Sequence, residues 1–209
     1  KNALFNKEKA RELILNTTYL KFYIFKHKLI TNDYEYPQET DFNVSLENAN
    51  QNEPAPLLIL DRNINFLKKN NFFDDTFSFI DIGSGSGLLI HYVLNNLDYF
   101  CNYHGIEFEK NFFEISKKNL ISYKHKNINL HYKDARNFLL EEKKYLIYLY
   151  NPFKFDILKI FLSNNYENII KNKSTIIYHN DIHIEDIKKE FKFRYLRKFS
   201  GTTFILPNN

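Results

Sequence analysis

Apolar residues along the chain form short continuous runs that alternate with segments of helical spacing. The runs have the length of buried strands and stand at 77–83, 102–108, 128–135, 145–151 and 174–180. Helical spacing of apolar residues is found over 86–97, 110–123, 155–170 and 184–191. Strands that alternate with helices of about ten residues or more predict right-handed βαβ units and a parallel sheet.

The C-terminal end of this pattern differs from the rest. Two more apolar runs, 193–199 and 202–207, are separated only by Ser200 and Gly201. Because that connection is too short for a helical crossover, the two runs are predicted to form an antiparallel hairpin at one edge of the sheet. The predicted fold class is therefore α/β, a three-layer Rossmann-like sandwich around a mostly parallel seven-stranded sheet with an antiparallel edge hairpin.

The N-terminal quarter of the chain follows a different pattern. Residues 7–30 are predicted to form a helix, and residues 31–56 are a polar connection that contains three prolines. The apolar residues of the first helix recur at loosely helical spacing, at Leu13, Leu20 and Phe25. A second helix is predicted over 57–70. The chain is thus expected to divide into a helical and loop extension, 1–56, and an α/β domain, 57–209.

Composition narrows the class of protein without naming a partner. Apolar residues make up 44% of the chain, enough for a buried core. The formal net charge is +4, but the abundance of Phe, Ile, Asn, Lys and Tyr is typical of AT-rich coding. Since no dense basic run occurs, we expect a solvated surface rather than a dedicated basic patch. Cys101 is the only cysteine, which excludes an intrachain disulfide and a cysteine-based zinc cluster.

The sequence shows no targeting or metal signal. No stretch approaches the roughly 18 uninterrupted apolar residues of a membrane span, and the first residues are too charged for a signal peptide. The histidines lack the spacing of a HExxH zinc site. The prediction is a cytoplasmic protein with no membrane partner and no bound metal.

Glycine is concentrated in one turn. Three of the five glycines, Gly83, Gly85 and Gly87, alternate with serines after the first strand and after Asp81. Glycine tolerates positive φ and lets a ligand approach the backbone, and the next helix offers free N–H groups. Ligands of open parallel sheets bind beyond the carboxyl ends of the strands. The turn is therefore a predicted ligand site, but it fits neither the dinucleotide fingerprint G-x-G-x-x-G nor the phosphate loop G-x-x-x-x-G-K-[ST].

The segment from Asp81 to Gly87, DIGSGSG, resembles the first motif of the class I S-adenosylmethionine (SAM) methyltransferases, which is an acid, one residue and G-x-G-x-G. Glu107 ends the second strand twenty residues after Gly87. A carboxylate there can accept hydrogen bonds from both ribose hydroxyls of an adenosine cofactor. The resemblance covers roughly residues 57–209 and implies SAM as the cofactor.

The resemblance also implies further cofactor contacts. Asp134 matches the position that meets the adenine amino group, and Ala135 would offer its backbone N–H to the ring. Asp81 would orient the glycine turn or reach the methionine ammonium. The implied cofactor-binding set is Glu53, Asp81, Gly83, Ser84, Gly85, Gly87, Glu107, Phe108, Asp134, Ala135 and Asn151.

A narrower resemblance concerns the segments that flank the cofactor. The tripeptide Asn151-Pro152-Phe153 follows the fourth strand and resembles the N-P-F of small bacterial class I methyltransferases. These proteins also carry a G-D-A-R-like segment after strand three, here Asp134-Ala135-Arg136, and a proline-containing segment before the first core helix, here Glu53-Pro54-Ala55-Pro56. The chain is also distantly similar to the Rossmann-type histone lysine methyltransferases, which place an acid-and-proline segment over the cofactor.

The resemblance places the segment after strand four at the transferring methyl group, and His179 ends strand five at the same edge of the sheet. Asn151 would accept a hydrogen bond from an attacking amine, Pro152 would fix the loop, and Phe153 would form a flat wall for the substrate. His179 is the candidate general base. Residues 1–56 are expected to cap the cofactor and shape the acceptor site, with possible lid or acceptor residues Tyr34, Tyr36, Thr40, Asp41 and Glu53.

Several functions stay open at this point. The leading hypothesis is a SAM-dependent methyltransferase that acts on nitrogen or oxygen of an unidentified acceptor, with a protein amine or a small molecule favoured. A nucleic-acid methyltransferase and a non-catalytic SAM-binding module are the alternatives. The glycine spacing disfavours an NAD(P) oxidoreductase. The sequence predicts no oligomeric state.

Overall fold

A computed structural model describes residues 2–31, 53–150, 152–199 and 201–208, with side chains described from residue 10 onward. The helices are α1 (Asn2–His27), α2 (Leu57–Lys69), α3 (Leu88–Asn96), α4 (Lys110–Asn119), α5 (Phe155–Lys171) and α6 (Ile184–Glu190). The strands are β1 (Ser78–Ile82), β2 (Asn102–Glu107), β3 (Ile128–Tyr132), β4 (Tyr145–Tyr150), β5 (Thr175–His179), β6 (Arg194–Phe199) and β7 (Thr202–Leu206). Two single-turn 3-10 helices lie at Ile121–Tyr123 and Ala135–Asn137.

The strands form one sheet in the order β3-β2-β1-β4-β5-β7-β6. Strands β1 to β5 pair in parallel, so that Asp81 of β1 lies beside Gly105 of β2 and Tyr148 of β4. Strand β7 runs antiparallel to both β5 and β6. This confirms the predicted α/β sandwich with a mostly parallel seven-stranded sheet and an antiparallel edge hairpin. The strand order reverses between β1 and β4, which places a crevice at the carboxyl ends of these strands.

Both faces of the sheet are covered by apolar side chains. On one face Phe79 and Phe204 pack with apolar residues of α1, α2 and α3. On the other face Ile80 and Ile147 pack with apolar residues of α5 and α6. Because both faces are buried, the strands are almost continuously apolar, as β4 is. Side chains alternate along a strand, so Asp81 points to the same face as Phe79.

Polar contacts hold α1 on the helices that cover the sheet. The Tyr23 hydroxyl lies 2.8 Å from Nδ1 of His91 in α3. The Arg62 guanidinium of α2 donates a hydrogen bond to the Glu12 carboxylate at 2.8 Å. These contacts join an N-terminal helix, which the sequence assigned to a separate extension, to the α/β domain.

The first helix differs from its prediction in its start, its end and its buried face. It begins at Asn2 rather than at residue 7. It ends at His27 rather than at residue 30, because Lys28 adopts a left-handed backbone with φ of +52°. Leu20 is buried, but Leu13 and Phe25 are 68% and 83% exposed. Leu13 stands seven residues before Leu20 and shares its side of the helix, whereas Phe25, five residues after Leu20, lies on a different side. None of the described helices is both long and apolar enough to cross a membrane.

Replacement of His91 by glutamine is expected to cost less stability in acid than at neutral pH. His91 is 4% exposed, and burial, with His27 nearby, lowers its pKa to about 4. The unfolded histidine titrates near pH 6.5, so the stability that depends on neutral His91 is complete above that pH and is lost as the pH falls towards 4. The deficit of His91→Gln in free energy of unfolding should therefore narrow by about 2 kcal/mol between roughly pH 7.5 and pH 5.

Urea unfolding at the two pH values measures this deficit. The exposed His125 provides the control, because His125→Gln should leave the free energy of unfolding unchanged at both. A His91→Gln deficit that does not vary with pH would contradict the buried neutral state of His91.

Candidate cofactor and acceptor site

The turn between β1 and α3 carries the glycine motif. Gly83, Gly85 and Gly87 have positive φ angles of +80°, +50° and +73°. The N–H groups of Gly83 and Ser84 both donate to the carbonyl oxygen of Ile106 at 2.9 Å, which fastens the turn to β2. The turn thus has the left-handed backbone for which glycine is suited, at the carboxyl edge of the sheet.

Gly83 lies in the tightest part of this turn. A Cβ atom on Gly83 would stand 2.6 Å from the Cβ atom of Pro152. Pro152 is half-buried and belongs to the segment that follows β4. The first glycine therefore permits close packing between two turns that belong to the predicted cofactor and acceptor sites.

Glu107 brings its carboxylate to the glycine turn. Its side chain is 5% exposed. The Gly85 N–H donates to Oε2 at 2.8 Å, and the Glu109 N–H donates to Oε1 at 2.8 Å. Since a carboxylate oxygen can accept more than one hydrogen bond, this arrangement leaves acceptor capacity on both oxygens. The structure brings the two strongest signals of the sequence, the glycine motif and the acid at the end of β2, into direct contact.

Burial controls the protonation of this carboxylate. Desolvation raises the pKa of Glu107 to about 7, although the N–H donors of Glu109 and Gly85 act in the opposite direction. A ligand that donates further hydrogen bonds to the ionised carboxylate would lower this pKa. Glu107 is therefore suited to bind a pair of hydroxyls more tightly as the pH rises.

A second buried acid lies on the neighbouring strand. Asp81 is 5% exposed, and burial, together with the charge of Glu107, raises its pKa well above the usual value. Tyr148 stands beside Asp81 in the sheet register, and its buried hydroxyl has no hydrogen-bond partner in the described part of the chain. Buried polar groups are normally paired. The Asp81 carboxyl and the Tyr148 hydroxyl are therefore polar groups beside the glycine turn that a ligand could bond. This fits an adenosine-type cofactor with a charged amino-acid tail.

Asp134 follows β3 and is already engaged within the chain. Its Oδ1 accepts the Arg136 N–H at 2.8 Å, and its Oδ2 accepts from the Arg136 guanidinium at 2.6 and 2.9 Å. Asp134 is 4% exposed and Ala135 is 7% exposed. The carboxylate thereby caps the short turn that contains Ala135. Its contact with an adenine amino group stays a prediction, as does that of the Ala135 N–H.

The segment after β4 was predicted to face the transferring methyl group. Asn151 lies outside the described residues, as do Tyr34, Tyr36, Thr40 and Asp41 of the predicted lid. Phe153 is 8% exposed and packs in the core cluster under α5 and α6. Its predicted role as a substrate wall therefore has little accessible surface to support it. Phe108, which follows β2, is half-buried.

Glu53 and His179 meet at Tyr150, the last residue of β4. The Tyr150 hydroxyl donates to the exposed Glu53 carboxylate at 3.5 Å. The rings of Tyr150 and His179 stack with centroids 5.2 Å apart and planes at 25°. The structure thus joins a residue of the proline-containing segment to the ends of β4 and β5.

The electrostatics of His179 bear on its role as a base. Its Nδ1 lies 2.6 Å from the Thr202 hydroxyl, and the side chain is 8% exposed. Burial lowers the pKa of His179 to about 4, helped by the charge of Arg62 and opposed by that of Asp181. The imidazole is neutral at neutral pH. A base with such a low pKa is poorly matched to proton removal near pH 7, which favours a packing or positioning role.

Sequence reasoning missed two tyrosines of the site. Tyr148 and Tyr150 belong to a strand that reads as continuous buried sequence, so nothing in the pattern separates them from core residues. The strand register places Tyr148 beside Asp81 and Tyr150 beside His179. Only the position of Tyr150 next to the N-P-F segment gave a local signal.

Comparisons with known proteins address the fold. No protein-family model and no curated protein matches this sequence. The solved structure of yhhF, a candidate methyltransferase of Escherichia coli, is 17% identical, with a TM-score of 0.52 over 74% of this chain and 85% of that protein. SMU.1697c of Streptococcus mutans, a candidate methyltransferase in complex with SAH, is 11% identical, with a TM-score of 0.51 over 70% of this chain and 96% of that protein.

A human protein shows the same likeness. The human methyltransferase 10 domain containing protein is 14% identical, with a TM-score of 0.51 over 80% of this chain and 88% of that protein. These similarities, at low sequence identity, rest on the shared arrangement of helices and strands. The chain therefore has the Rossmann-like fold of the class I methyltransferases.

Proposed function

We propose that this protein is a SAM-dependent methyltransferase that acts on nitrogen or oxygen of its acceptor. One observation carries the proposal: the buried Glu107 carboxylate is fixed by the Gly85 N–H at a D-x-G-x-G-x-G turn. This arrangement offers both parts of an adenosine site, an open backbone turn and an acid for the ribose hydroxyls. The SAH complex of the structurally similar S. mutans protein supports a cofactor of this class.

Different residues around the glycine turn would bind the cofactor and orient the attacking group. When bound, SAM supplies a methyl group that is already strongly electrophilic. Glu107 would hold the ribose, and Asp81 would orient the turn or attract the ammonium of the methionine tail. The packing of Pro152 against Gly83 would fix the segment after β4 relative to the cofactor. Asn151 would accept a hydrogen bond from the attacking group, which aligns the nucleophile with the methyl.

A protein amine or a small molecule is the favoured acceptor. Glu53 is exposed beside Tyr150, at the edge of the sheet where the acceptor would enter. A carboxylate at this place would attract an ammonium group before its deprotonation. The low pKa of His179 supports a mechanism in which the nucleophile loses its proton to water rather than to this side chain.

Nucleic acid is the second candidate acceptor. Arg197, whose side chain is 62% exposed, reaches Asp181 just beyond β5, and the exposed Lys154 directly precedes α5 and follows the N-P-F segment. Two cations at the acceptor edge would contact phosphates. Methyl transfer that depends on these residues and falls steeply with salt would favour this alternative.

Labelled-methyl transfer tests the proposal directly. The protein is first titrated with SAM and with NADPH by calorimetry, and then incubated with methyl-labelled SAM and fractionated lysate. Label that is removed by protease identifies a protein acceptor, label removed by nuclease identifies nucleic acid, and label resistant to both identifies a small molecule. SAM binding without methyl transfer to any fraction would favour the alternative of a non-catalytic SAM-binding module. Binding of NADPH but not of SAM would reject the proposal.

Asn151→Ala is expected to separate catalysis from cofactor binding. The substitution removes the amide that would align the nucleophile, so turnover should fall by about 100-fold, as misalignment of reacting groups typically produces. The dissociation constant for SAM should change little, because the ribose and turn contacts remain. Single-turnover kinetics and calorimetry measure the two effects. Loss of cofactor binding in Asn151→Ala would contradict this division of roles.

A further inference from the structure

The side of α1 that faces away from the sheet is strongly apolar. We call it the outer face of α1, and it includes the exposed residue that follows the helix. Its large apolar side chains are 47% to 83% exposed. They are Ile14, Leu15, Phe22, Phe25 and Ile30. Contiguous exposed apolar residues of this size on a folded protein usually mark an interaction surface.

Core packing does not account for these residues. The opposite, inner face of α1 makes the contacts with the rest of the chain, through buried Asn16, Leu20 and Tyr23. Beyond the helix, the Asn119 side chain bonds both the N–H and the carbonyl oxygen of Ile30, at 2.9 and 2.8 Å. The helix is therefore fixed in place, and its apolar residues on the outer face are displayed rather than buried.

Basic residues surround this apolar surface. Arg11, Lys21, Lys26 and Lys28 are all exposed. The only acid of α1 whose side chain is described, Glu12, is bonded to Arg62 at 2.8 Å. The outer face of α1 is thus apolar at its centre and positively charged at its borders.

The exposed apolar surface continues onto the 3-10 turn at Ile121–Tyr123. Ile121, which is 58% exposed, follows Asn119, the residue that bonds Ile30. A shallow cavity of about 410 Å³ opens beside Ile121 and is bordered by Lys124 and by two paired lysines, Lys117 with Glu114 and Lys126 with Asp98. Exposed apolar side chains therefore extend from α1 to the end of α4, and Lys124 adds an exposed lysine there.

We propose that the outer face of α1 docks on the surface of an anionic lipid bilayer. When such a helix lies on a bilayer, its phenylalanine and leucine side chains enter the boundary between headgroups and acyl chains. Its lysine and arginine side chains extend back to the lipid phosphates. Each cation near an anionic membrane adds a favourable contribution, so apolar burial and charge act together. The contact is peripheral, since no described helix can span a bilayer. It departs from the sequence prediction of no membrane partner.

Charge and apolar exposure disfavour two other partners for the outer face of α1, a second copy of this chain and a nucleic acid. A second copy of this chain would bring Arg11, Lys21, Lys26 and Lys28 against their own counterparts. A nucleic acid would pair with the cations but would leave Ile14, Phe22 and Phe25 in water. An anionic bilayer satisfies both the apolar centre and the cationic border.

Vesicle flotation with the full chain tests the proposal. The wild-type protein is expected to float with vesicles of equal parts phosphatidylcholine and phosphatidylglycerol, and to remain in solution with phosphatidylcholine alone. Lys21→Gln, Lys26→Gln and Lys28→Gln together should weaken binding by about 100-fold, roughly fivefold for each charge. Phe22→Ser with Phe25→Ser should weaken it by more than about tenfold, because the inserted apolar area is lost.

Matched variants separate this surface from general effects. Leu139→Ser removes an apolar residue that is 64% exposed elsewhere on the molecule, and it should bind vesicles as the wild type does. Circular dichroism and thermal unfolding establish that each variant is folded. Absence of flotation by the wild type, or flotation that the phenylalanine variant does not weaken, would overturn the proposal. A wild-type dimer in light scattering that the phenylalanine variant converts to monomer would also overturn it, as would RNA binding lost in both variants without vesicle binding.

Discussion

Glu107→Ala is expected to weaken SAM binding by about 1–3 kcal/mol, or about 5- to 150-fold. The substitution removes the acceptor for the ribose hydroxyls and leaves the N–H groups of Gly85 and Glu109 without the carboxylate that they now bond. Because burial raises the pKa of Glu107 to about 7, the carboxylate becomes a full acceptor only as the pH rises through this value. The difference in affinity between wild type and variant should therefore grow from pH 6 to pH 8, about one unit on either side.

Calorimetry with SAM at several pH values measures this effect. Glu114→Ala is the matched control, since Glu114 lies on the exposed side of α4 in an ion pair with Lys117. Its removal should leave the dissociation constant unchanged. If Glu107→Ala binds SAM as tightly as the wild type at every pH, Glu107 is not the ribose acid and the proposed function loses its main support.

Gly83→Ala is expected to lower the free energy of unfolding by about 2–5 kcal/mol. A left-handed backbone costs a residue with a Cβ atom about 1–2 kcal/mol, and a forced contact in a packed region costs about 1–3 kcal/mol. Gly83 meets both conditions, with φ of +80° and a Cβ position 2.6 Å from the Cβ of Pro152. Movement of the turn would also carry Gly85 away from Glu107, so SAM affinity should fall by more than about tenfold.

Gly201→Ala is a control that shares the backbone cost of Gly83→Ala but lacks the steric contact. Gly201 has φ of +68°, but a Cβ atom there would meet nothing within 4 Å. Its replacement should therefore cost only the backbone term of about 1–2 kcal/mol and leave SAM binding unchanged. Chemical unfolding and calorimetry compare the two variants. Equal destabilisation by both would show that the contact between Gly83 and Pro152 is not restrictive.

The sequence predicted the sheet correctly because buried strands and helices leave different periodicities. Five apolar runs, with helical segments in three of the four gaps between them, favour parallel pairing, and the short Ser200-Gly201 connection specifies the antiparallel edge. Element ends were less accurate. The segment predicted as one helix over 110–123 divides into α4 and a 3-10 turn after Asn119, because such ends depend on tertiary contacts such as that of Asn119 with Ile30.

The candidate site was predictable where chemistry is local. The residue type alone predicts a left-handed turn at Gly83, Gly85 and Gly87. The spacing from this turn to Glu107 predicts an acid on the adjacent strand. The contact of the Glu107 carboxylate with the Gly85 N–H follows from this parallel pairing. Phe153 was predicted to form a substrate wall and His179 to act as a general base; both are about nine-tenths buried, and these roles stay predictions. Burial depends on how helices cover the edge of the sheet, which no short segment encodes.

By itself, the sequence determined the fold class, the glycine turn and its acid, since periodicity, glycine content and strand spacing are properties of neighbouring positions along the chain. Tertiary structure alone decided the packing of Gly83 on Pro152, the pairing of Asp81 with Tyr148 and the outward display of Phe22 and Phe25. Each of these joins residues distant in sequence or selects one of two apolar faces. Such relations, and the pKa values that follow from burial, arise only when the layers of the fold are assembled.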